Sequence, residues 1–291
     1  MAVLSGTGVS ATDRVLVDLS ADWPIAVDCQ RALAELGVAV SEDVARFQPS
    51  VLITTPSSAL RLEQAESLRI VMVTGEPGGS IGACRRLIEG RGGARCVDVY
   101  ALHELGVVGW SCPEQSDCLH LDDHALRLDV LEADSEHGVR TGDLGELVVS
   151  LSEDPTNRLR TGDLVRLSRA ECACRLSSAW AVGGVLGRVS ERLRVRGCDL
   201  LPSTVEQVVR RHPGVGDFRL RVYRRRGSDS AVAVELEPQD MIATEGDRSR
   251  VAAEVSQDLR RSLGLRLAVD VVPPGSIDHD AYGRVRRVIR A

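Results

Sequence analysis

The chain has 291 residues and a formal net charge of −6, from 36 basic and 42 acidic side chains. This acidic balance argues against a general nucleic-acid binder, whose surface is normally basic. No apolar run approaches the roughly 20 residues of a membrane-spanning helix, and no signal-peptide pattern opens the sequence, so we expect a cytoplasmic protein without a membrane partner.

The sequence contains no lysine, so all 36 basic residues are arginine. Arginine presents a rigid planar fork, whereas lysine presents a compact charge at the end of a flexible chain. This composition excludes any mechanism in which a lysine of this chain supplies the positive charge.

Short aliphatic runs alternate with helical patterns over the first hundred residues. Strands are predicted at residues 15–18, 50–55, 68–73 and 96–100, and helices at 25–36, 59–65 and 81–88. A strand–helix alternation of this kind predicts a mostly parallel sheet with helices on its faces.

The pattern changes beyond Trp110, where strand-like pieces at 120–121, 126–131 and 146–151 are separated by turn residues. These pieces predict an antiparallel or mixed β region. The last part predicts a helix at 202–211, strands at 218–223 and 231–236, a helix at 248–263 and a strand at 267–272. We therefore predict an α/β domain over residues 1–187 with a mixed β region, followed by a small α+β domain over 188–291.

Seven segments resemble the phenylacetate–CoA ligase branch of the adenylate-forming (acyl-CoA synthetase, AMP-binding) superfamily. In chain order they are PSVLITTPS at 49–57, TGEP at 74–77, DVYALHE at 98–104, GELV at 145–148, LRTGD at 159–163, GRVSE at 187–191 and RGCDLLPSTVE at 196–206. The resemblance implies an N-terminally truncated adenylation domain of the ANL type, followed by a C-terminal lid domain.

The resembled enzymes join a carboxylate to ATP as an acyl-adenylate, and coenzyme A thiol then displaces AMP. By resemblance, Gly75, Glu76 and Pro77 would lie along the adenine, because glycine lets a backbone approach a ligand closely. In the segment that runs from Tyr100 to Glu104, the glutamate would hold the magnesium that bridges the phosphates. The alternative for residues 75–79 is a turn selected only for its backbone geometry.

The same resemblance gives Asp163 hydrogen bonds from the ribose hydroxyls and places Arg188 near the phosphate or ribose. Gly197 would border the pantetheine tunnel, and Ser190 would lie near the junction about which the lid rotates. Alternatives stay open here too: residues 160–163 could be a polar turn, and Arg188 could form an exposed ion pair with Glu191.

Departures from the family pattern predict weakened ATP-dependent activation. The phosphate loop of the family lies before the region where this chain begins, and residues 5–8 match its composition without a preceding strand. Arg284 stands where the family has its catalytic lysine, and its donor geometry differs. His103 replaces the serine or threonine before Glu104, where an imidazole either acts on a phosphate or packs as a buried side chain.

The eight cysteines are expected to be thiols or metal ligands, because disulfides are rare in the cytoplasm. Cys112, His120, Cys172 and Cys174 form a candidate structural zinc set, with Cys118 as a substitute ligand. Some members of the resembled family carry such a set. The alternative is a group of small buried thiols.

We expect a protein that acts on an aryl or acyl carboxylate, acyl-adenylate or acyl thioester in a specialised biosynthetic pathway. Magnesium with AMP or ATP, and coenzyme A, are implied by resemblance. The alternatives are a non-catalytic relative that binds AMP, coenzyme A or a carrier protein, and a half-enzyme that another chain completes. An open sheet edge also predicts self-association.

Overall fold

The computed structural model describes residues 7–35, 37–41, 48–62, 66–212, 214–223, 231–239 and 244–290. The chain divides into two compact units, Met1–Val189 and Ser190–Ala291. The sequence predicted a boundary after residue 187, and the roles assigned to the two domains stay predictions. No helix within the described ranges is long and apolar enough to cross a membrane.

The first unit begins with parallel strands. They are β1 (Arg14–Val17), β2 (Ala39–Ser41), β3 (Val51–Thr54), β4 (Ile70–Val73) and β5 (Arg95–Leu102), arranged in the order β2-β1-β3-β4-β5. The intervening helices are α1 (Pro24–Glu35), α2 (Pro56–Ala59) and α3 (Gly82–Gly90). Every residue of β3 and β4 is buried, as expected for parallel strands that are covered on both faces.

The helix predicted at 59–65 is wrong, because α2 ends at Ala59. Pro56 occupies the first turn of α2, where its missing N–H costs nothing, and the hydroxyl of Thr55 accepts a hydrogen bond from the N–H of Ser58 at 3.1 Å. Residues 63–65 lie outside the described residues.

Antiparallel strands continue the same sheet. They are β6 (Gly106–Ser111), β7 (Cys118–Leu121), β8 (Leu126–Leu131), β9 (Leu144–Leu151), β10 (Asp154–Ser168), β11 (Trp180–Val182) and β12 (Gly187–Arg188). Beyond β5 the order is β6-β7-β11-β10-β9-β8, and β12 pairs with β10. Within the described part of the chain, this makes one mixed sheet of twelve strands, so the α/β class with a mixed β region is confirmed.

Side chains of β4 alternate between two apolar layers. Ile70 and Met72 pack in a cluster with Leu33 of α1, whereas Val71 and Val73 pack in another cluster with residues of α3. This period of two follows from the pleat of a strand. It decides which side chains at the end of β4 face the α1 side of the sheet.

The second unit is a two-layer α+β arrangement, as the sequence predicted. A turn of 3-10 helix (Val189–Glu191) precedes β13 (Leu193–Val195), β14 (Cys198–Leu200), α4 (Pro202–Val209), β15 (Val215–Tyr223), β16 (Ala231–Pro238), α5 (Glu245–Leu263), β17 (Ala268–Val271) and β18 (Val288–Arg290). Four of these strands form a sheet in the order β17-β16-β15-β18. Phe218 of β15 is fully buried in the core between this sheet and the two helices, with Val205 of α4 and Leu259 of α5.

Candidate functional site

A pocket of about 80 Å³ lies at the ends of the central strands of the first unit. Six residues predicted to bind a cofactor line it: Gly75, Glu76, Pro77, Tyr100, Asp163 and Arg188. The loop after β4 supplies the first three, β5 supplies Tyr100, and the neighbouring strands β10 and β12 supply Asp163 and Arg188. Residues far apart in the sequence therefore meet around one pocket. We call it the nucleotide pocket, after the ligand that the sequence resemblance predicts for these residues.

A carboxylate held from two sides forms the polar wall of the nucleotide pocket. The Tyr100 hydroxyl donates to Oδ2 of Asp163 at 2.7 Å, and Nε of Arg188 lies 2.9 Å from Oδ1. Burial, and next the charge of Asp163, raises the pKa of Tyr100 well above its ordinary value, so this tyrosine stays a hydrogen-bond donor. A carboxylate accepts hydrogen bonds at about four positions, and Asp163 presents its carboxylate at the wall of this pocket.

Arg188 forms an ion pair with Asp163 across the paired strands β12 and β10. The sequence analysis had left open an exposed ion pair with Glu191 instead. Its NH1 atom also donates to the carbonyl oxygen of Thr161 at 3.1 Å. The Arg188 side chain is 56% exposed, whereas that of Asp163 is 6% exposed. The guanidinium thus reaches from a buried carboxylate towards solvent, where it can meet an anion.

The Gly75–Pro77 turn is fixed by contacts on both sides. Gly75 has φ +88°, and a Cβ atom there would lie 1.9 Å from the indole ring of Trp23, so only glycine fits. The Glu76 carboxylate accepts a hydrogen bond from the backbone N–H of Ser57 at 2.7 Å. The turn therefore has structural ties in addition to its position on the pocket wall.

Asp98 of β5 is a pocket residue that the sequence reasoning missed. It lines the nucleotide pocket, is 8% exposed, and its Oδ2 atom accepts from the Ser80 hydroxyl at 2.6 Å. Burial raises its pKa to about 6, against smaller lowering effects of the Ser80 hydrogen bond and the Arg85 charge. Its position two residues before Tyr100, on the same face of β5, was the available signal.

A larger cavity of about 400 Å³ adjoins the nucleotide pocket and shares Gly75, Val99 and Ala101 with it. Its walls come from α1, the end of β4, β5 and the turn that follows, and include Trp23 and Met72. We call it the α1 cavity. Most of its lining is apolar, as is common for pockets that hold small organic groups.

His103 and Glu104 lie in the turn after β5, and both are exposed. His103 lines the α1 cavity, whereas Glu104 lines neither the α1 cavity nor the nucleotide pocket. The imidazole is therefore not the buried side chain that the sequence left as an alternative.

Four predicted metal ligands come together between β7 and the turn at residues 172–174. The ligand atoms of Cys112, His120, Cys172 and Cys174 all lie within 4.8 Å of one another. Sγ of Cys112 is 3.5 Å from Sγ of Cys172, and Sγ of Cys174 is 3.2 Å from Nε2 of His120. Cys118 is also close, with its Sγ atom 3.8 Å from both Cys172 and His120.

The sequence is similar to known families and proteins. Residues 197–291 match the model of the family described as AMP-binding enzyme C-terminal domain. The phenylacetate–coenzyme A ligase of Thermus thermophilus is 27% identical over 273 residues, which cover 84% of this chain and 60% of the relative. That of Escherichia coli is 28% identical over 262 residues, covering 83% of this chain and 58% of the relative.

The chain is similar in sequence to phenylacetate–coenzyme A ligases over more than four fifths of its length. The resemblance inferred from the seven segments is thereby confirmed. The chain spans about 60% of the length of the curated relatives that it matches.

Solved structures show the same fold as this chain. A 2-hydroxyisobutyryl-CoA ligase in complex with an acyl-AMP superposes with a TM-score of 0.85 at 20% identity, covering 99% of this chain and 68% of that one. An anthranilate CoA ligase in complex with anthranoyl-AMP gives a TM-score of 0.76 at 14% identity, covering 96% and 59%.

Two predicted site residues lie in the second unit. Gly197 forms the turn between β13 and β14 with φ +81° and is exposed. Arg284 contacts Asp280 through Nε at 2.8 Å and NH2 at 2.7 Å, and its guanidinium lies over the ring of Tyr282. The positive charge predicted to replace a lysine is thus already paired with a carboxylate.

Buried ion pairs anchor the segment that carries Arg284. Arg287 is 8% exposed and contacts Asp217 of β15 at 2.7 Å and Glu206 of α4 at 3.1 Å. Arg210 contacts the same two carboxylates. These contacts hold the segment against the core of its unit. Removing one partner would leave a buried charge uncompensated, which is strongly destabilising.

Proposed function

We propose that this protein binds the AMP part of an acyl-adenylate in the nucleotide pocket and acts on the attached aryl or acyl group. The observation that carries the proposal is the joining of Tyr100, Asp163 and Arg188 from three strands around that pocket. The match of residues 197–291 to an AMP-binding enzyme domain and the homology to phenylacetate–coenzyme A ligases support it.

Each part of the nucleotide pocket has a task in this proposal. Asp163 accepts hydrogen bonds from ribose hydroxyls, because its carboxylate lines the pocket and is held in place by Tyr100 and Arg188. Arg188 meets the phosphate with its exposed guanidinium. The backbone of Gly75 runs beside the base, and the acyl group occupies the adjoining α1 cavity.

ATP-dependent activation is weak in this proposal. The chain has no lysine, and Arg284 is paired with Asp280, which reduces the charge it offers to a phosphate. The exposed carboxylate of Glu104 is the candidate ligand for a magnesium ion, and coenzyme A is the candidate acyl acceptor. The pairing of Arg284 with Asp280 also favours the second candidate, a non-catalytic relative that binds AMP, coenzyme A or a carrier protein.

A structural zinc ion completes the proposal for the first unit. Three sulfur donors and one imidazole match the composition of closed tetrahedral zinc sites, and bonds of roughly 2.0–2.3 Å place ligand atoms about 3.5–3.8 Å apart. The separations of 3.5 Å between Cys112 Sγ and Cys172 Sγ and 3.2 Å between Cys174 Sγ and His120 Nε2 are near that spacing. Nδ1 of His120 lies 2.9 Å from the Ser178 hydroxyl, which orients the ring with Nε2 towards the thiols.

Calorimetric titration with AMP, and separately with magnesium and ATP, tests the proposal without knowledge of the acid. We expect AMP to bind and Asp163→Asn to weaken that binding at least about tenfold, because the ribose loses a charged acceptor. ATP should bind no more tightly than AMP.

The chain supplies a matched control, because Arg-Thr-Gly-Asp-Leu occurs at both 140–144 and 160–164. Asp143 is exposed and lies outside the nucleotide pocket, so Asp143→Asn should leave AMP affinity unchanged. Absence of AMP binding, or equal losses in the two variants, would contradict the proposed function. ATP binding clearly tighter than AMP would contradict weak activation alone.

A further inference from the structure

Arg85 of α3 is a buried arginine that contacts the backbone behind the nucleotide pocket. It is 7% exposed. Its NH1 atom donates to the carbonyl oxygen of Gly79 at 3.2 Å, and its NH2 atom donates to the carbonyl oxygen of Cys96. Burial of a guanidinium is unfavourable unless hydrogen bonds satisfy its N–H groups, so these carbonyl groups hold Arg85 in one position.

Side chains bond the backbone of β5 just before the point where β6 begins to pair with it. That pairing starts at Val99. The backbone N–H of Cys96 donates to Oε1 of Glu89 at 3.1 Å, and its carbonyl oxygen is the acceptor for the arginine. The backbone N–H of Asp98 donates to the Ser111 hydroxyl, which donates to the carbonyl oxygen of Asp98 at 3.2 Å. Because buried backbone groups need partners, these side chains fix the segment that carries the Asp98 carboxyl group.

Arg85 holds both segments that meet at the Ser80–Asp98 hydrogen bond. The Ser80 hydroxyl donates to Oδ2 of Asp98 at 2.6 Å, and a Cβ atom on Gly79 would lie 2.6 Å from Cβ of Asp98. One arm of the guanidinium contacts Gly79, next to Ser80, and the other contacts Cys96, two residues before Asp98. The rigid planar fork therefore sets the spacing between the two segments.

The charge of Arg85 also acts on Asp98. Burial raises the pKa of Asp98 to about 6, and the positive charge of Arg85 opposes this rise. Nε of Arg85 lies 3.1 Å from Oε1 of Glu89, which is partly exposed, so water weakens that pair. The other titratable groups near Asp98 are those that line the same pocket and one thiol earlier on β5: Glu76, Tyr100, Asp163, Arg188 and Cys96.

We propose that Arg85 is a positioning residue for nucleotide binding: by holding the carbonyl groups of Gly79 and Cys96, it fixes the Ser80–Asp98 pair in the wall of the nucleotide pocket. Asp98 lines that pocket, whereas Arg85 is not among the described lining residues. Arg85 therefore acts through Asp98 and does not touch the ligand. The inference rests on the proposed function, because it takes the nucleotide pocket as the binding site of AMP.

The first test is calorimetric titration with AMP on the full chain at pH 7. Arg85→Met keeps an unbranched side chain and removes the donors, so it should weaken AMP binding about tenfold. Arg86→Met is the matched control, because Arg86 is the next residue on α3 and is exposed. It should leave the affinity unchanged. In the Asp98→Ala background, Arg85→Met should weaken binding at most about twofold, because no carboxyl group is left to position.

A pH profile separates this role from a simple loss of helix stability. The difference in free energy of unfolding between Asp98→Asn and the parent protein should level off near pH 6, where folded Asp98 loses its proton. With Arg85→Met in both proteins, the levelling should move up by about one pH unit, because the carboxylate loses a nearby positive charge. Arg86→Met should not move it.

Arg85→Lys separates the charge from the geometry. It keeps a positive charge, so the levelling should stay near pH 6. A single ammonium group lacks the fork that spans both carbonyl groups, so AMP binding should still weaken relative to Arg86→Lys. Thermal unfolding checks that each variant is folded, and the two lysine variants decide the question if Arg85→Met does not fold.

The outcomes separate this inference from the proposed function. If AMP binds and Arg85→Met weakens it no more than Arg86→Met, the positioning role is refuted and the proposed function stands. The same holds if Arg85→Met weakens binding equally in the parent and in the Asp98→Ala background. If AMP does not bind to the parent protein, both are refuted.

Discussion

Asp98 shows how one buried carboxyl group couples the nucleotide pocket to pH. Gly79 and Gly184 leave no room for side chains beside it, since a Cβ on Gly79 would lie 2.6 Å from Asp98 Cβ and one on Gly184 2.6 Å from Ser80 Cβ. Burial raises its pKa from the ordinary 3.8 to about 6. The folded protein therefore keeps this proton over a pH range in which the unfolded chain has lost it.

The stability contributed by protonated Asp98 is present below about pH 4 and is lost as pH rises to about 6. We expect Asp98→Asn, which mimics the protonated form, to match the parent protein at low pH. Above about pH 6 the variant should be more stable by up to about 3 kcal/mol. Urea unfolding of both proteins from pH 4 to 8 measures this, and a difference that does not vary with pH would contradict it.

Individual residues also show where sequence reasoning stops. The pentapeptide Arg-Thr-Gly-Asp-Leu occurs twice, and both glycines have positive φ, at Gly142 and Gly162. Only the second copy has Arg188 beside it on a paired strand and Tyr100 within hydrogen-bond distance. Local sequence predicts the turn in both copies, whereas the partners that make Asp163 a pocket residue come from distant strands.

At the level of elements, strands were predicted correctly where they are fully buried and their sequence is a continuous apolar run. Strands β3 and β4 are buried throughout and were predicted nearly to their ends. The long strand β10 was missed, because arginine, asparagine, threonine and glycine interrupt its apolar residues and a register shift lies between Arg160 and Leu164. Helix α2 was misplaced because its start depends on a cap and a proline rather than on an apolar pattern.

The cysteine cluster joins β7 to the turn at 172–174, so the proposed zinc ion would stabilise these elements. We expect fresh protein to contain about one zinc per chain, and a strong chelator to lower its unfolding temperature. Cys172→Ala and Cys174→Ala should lose zinc and stability, because each removes one of four ligands. Cys198→Ala, at an exposed thiol outside the cluster, is the control and should change neither.

Elemental analysis measures the zinc content, and differential scanning calorimetry measures the unfolding temperature. Protein purified without chelators that contains no zinc would contradict the metal site. If Cys198→Ala lost as much zinc as Cys172→Ala, the assignment of ligands would be wrong. Retention of zinc in Cys174→Ala but not after further loss of Cys118 would identify Cys118 as the substitute ligand.

For the molecule as a whole, one end of the large sheet is where contact with another chain is expected. Strand β2 lies at this end of the sheet order, opposite β8, and Val40 on β2 is 38% exposed. We predict self-association through this edge, because open strands and exposed apolar side chains pair readily.

Light scattering at micromolar concentration should give a mass above 31.4 kDa. Val40→Lys should lower that mass towards the monomer, since charge on an edge strand opposes pairing. Leu87→Lys, at a similarly exposed residue on α3, should not. A monodisperse monomer for the parent protein would be evidence against the prediction.

Two of the three tryptophans offer a way to observe the two sites of the first unit separately. Trp23 lines the α1 cavity and touches Gly75, while Trp180 packs against the cysteine cluster and donates to the carbonyl oxygen of Ala170. Indole emission depends on nearby polar and sulfur groups, so filling the cavity should change mainly the Trp23 signal and stripping the metal mainly that of Trp180. Trp23→Phe and Trp180→Phe would assign each change in fluorescence without any attached dye.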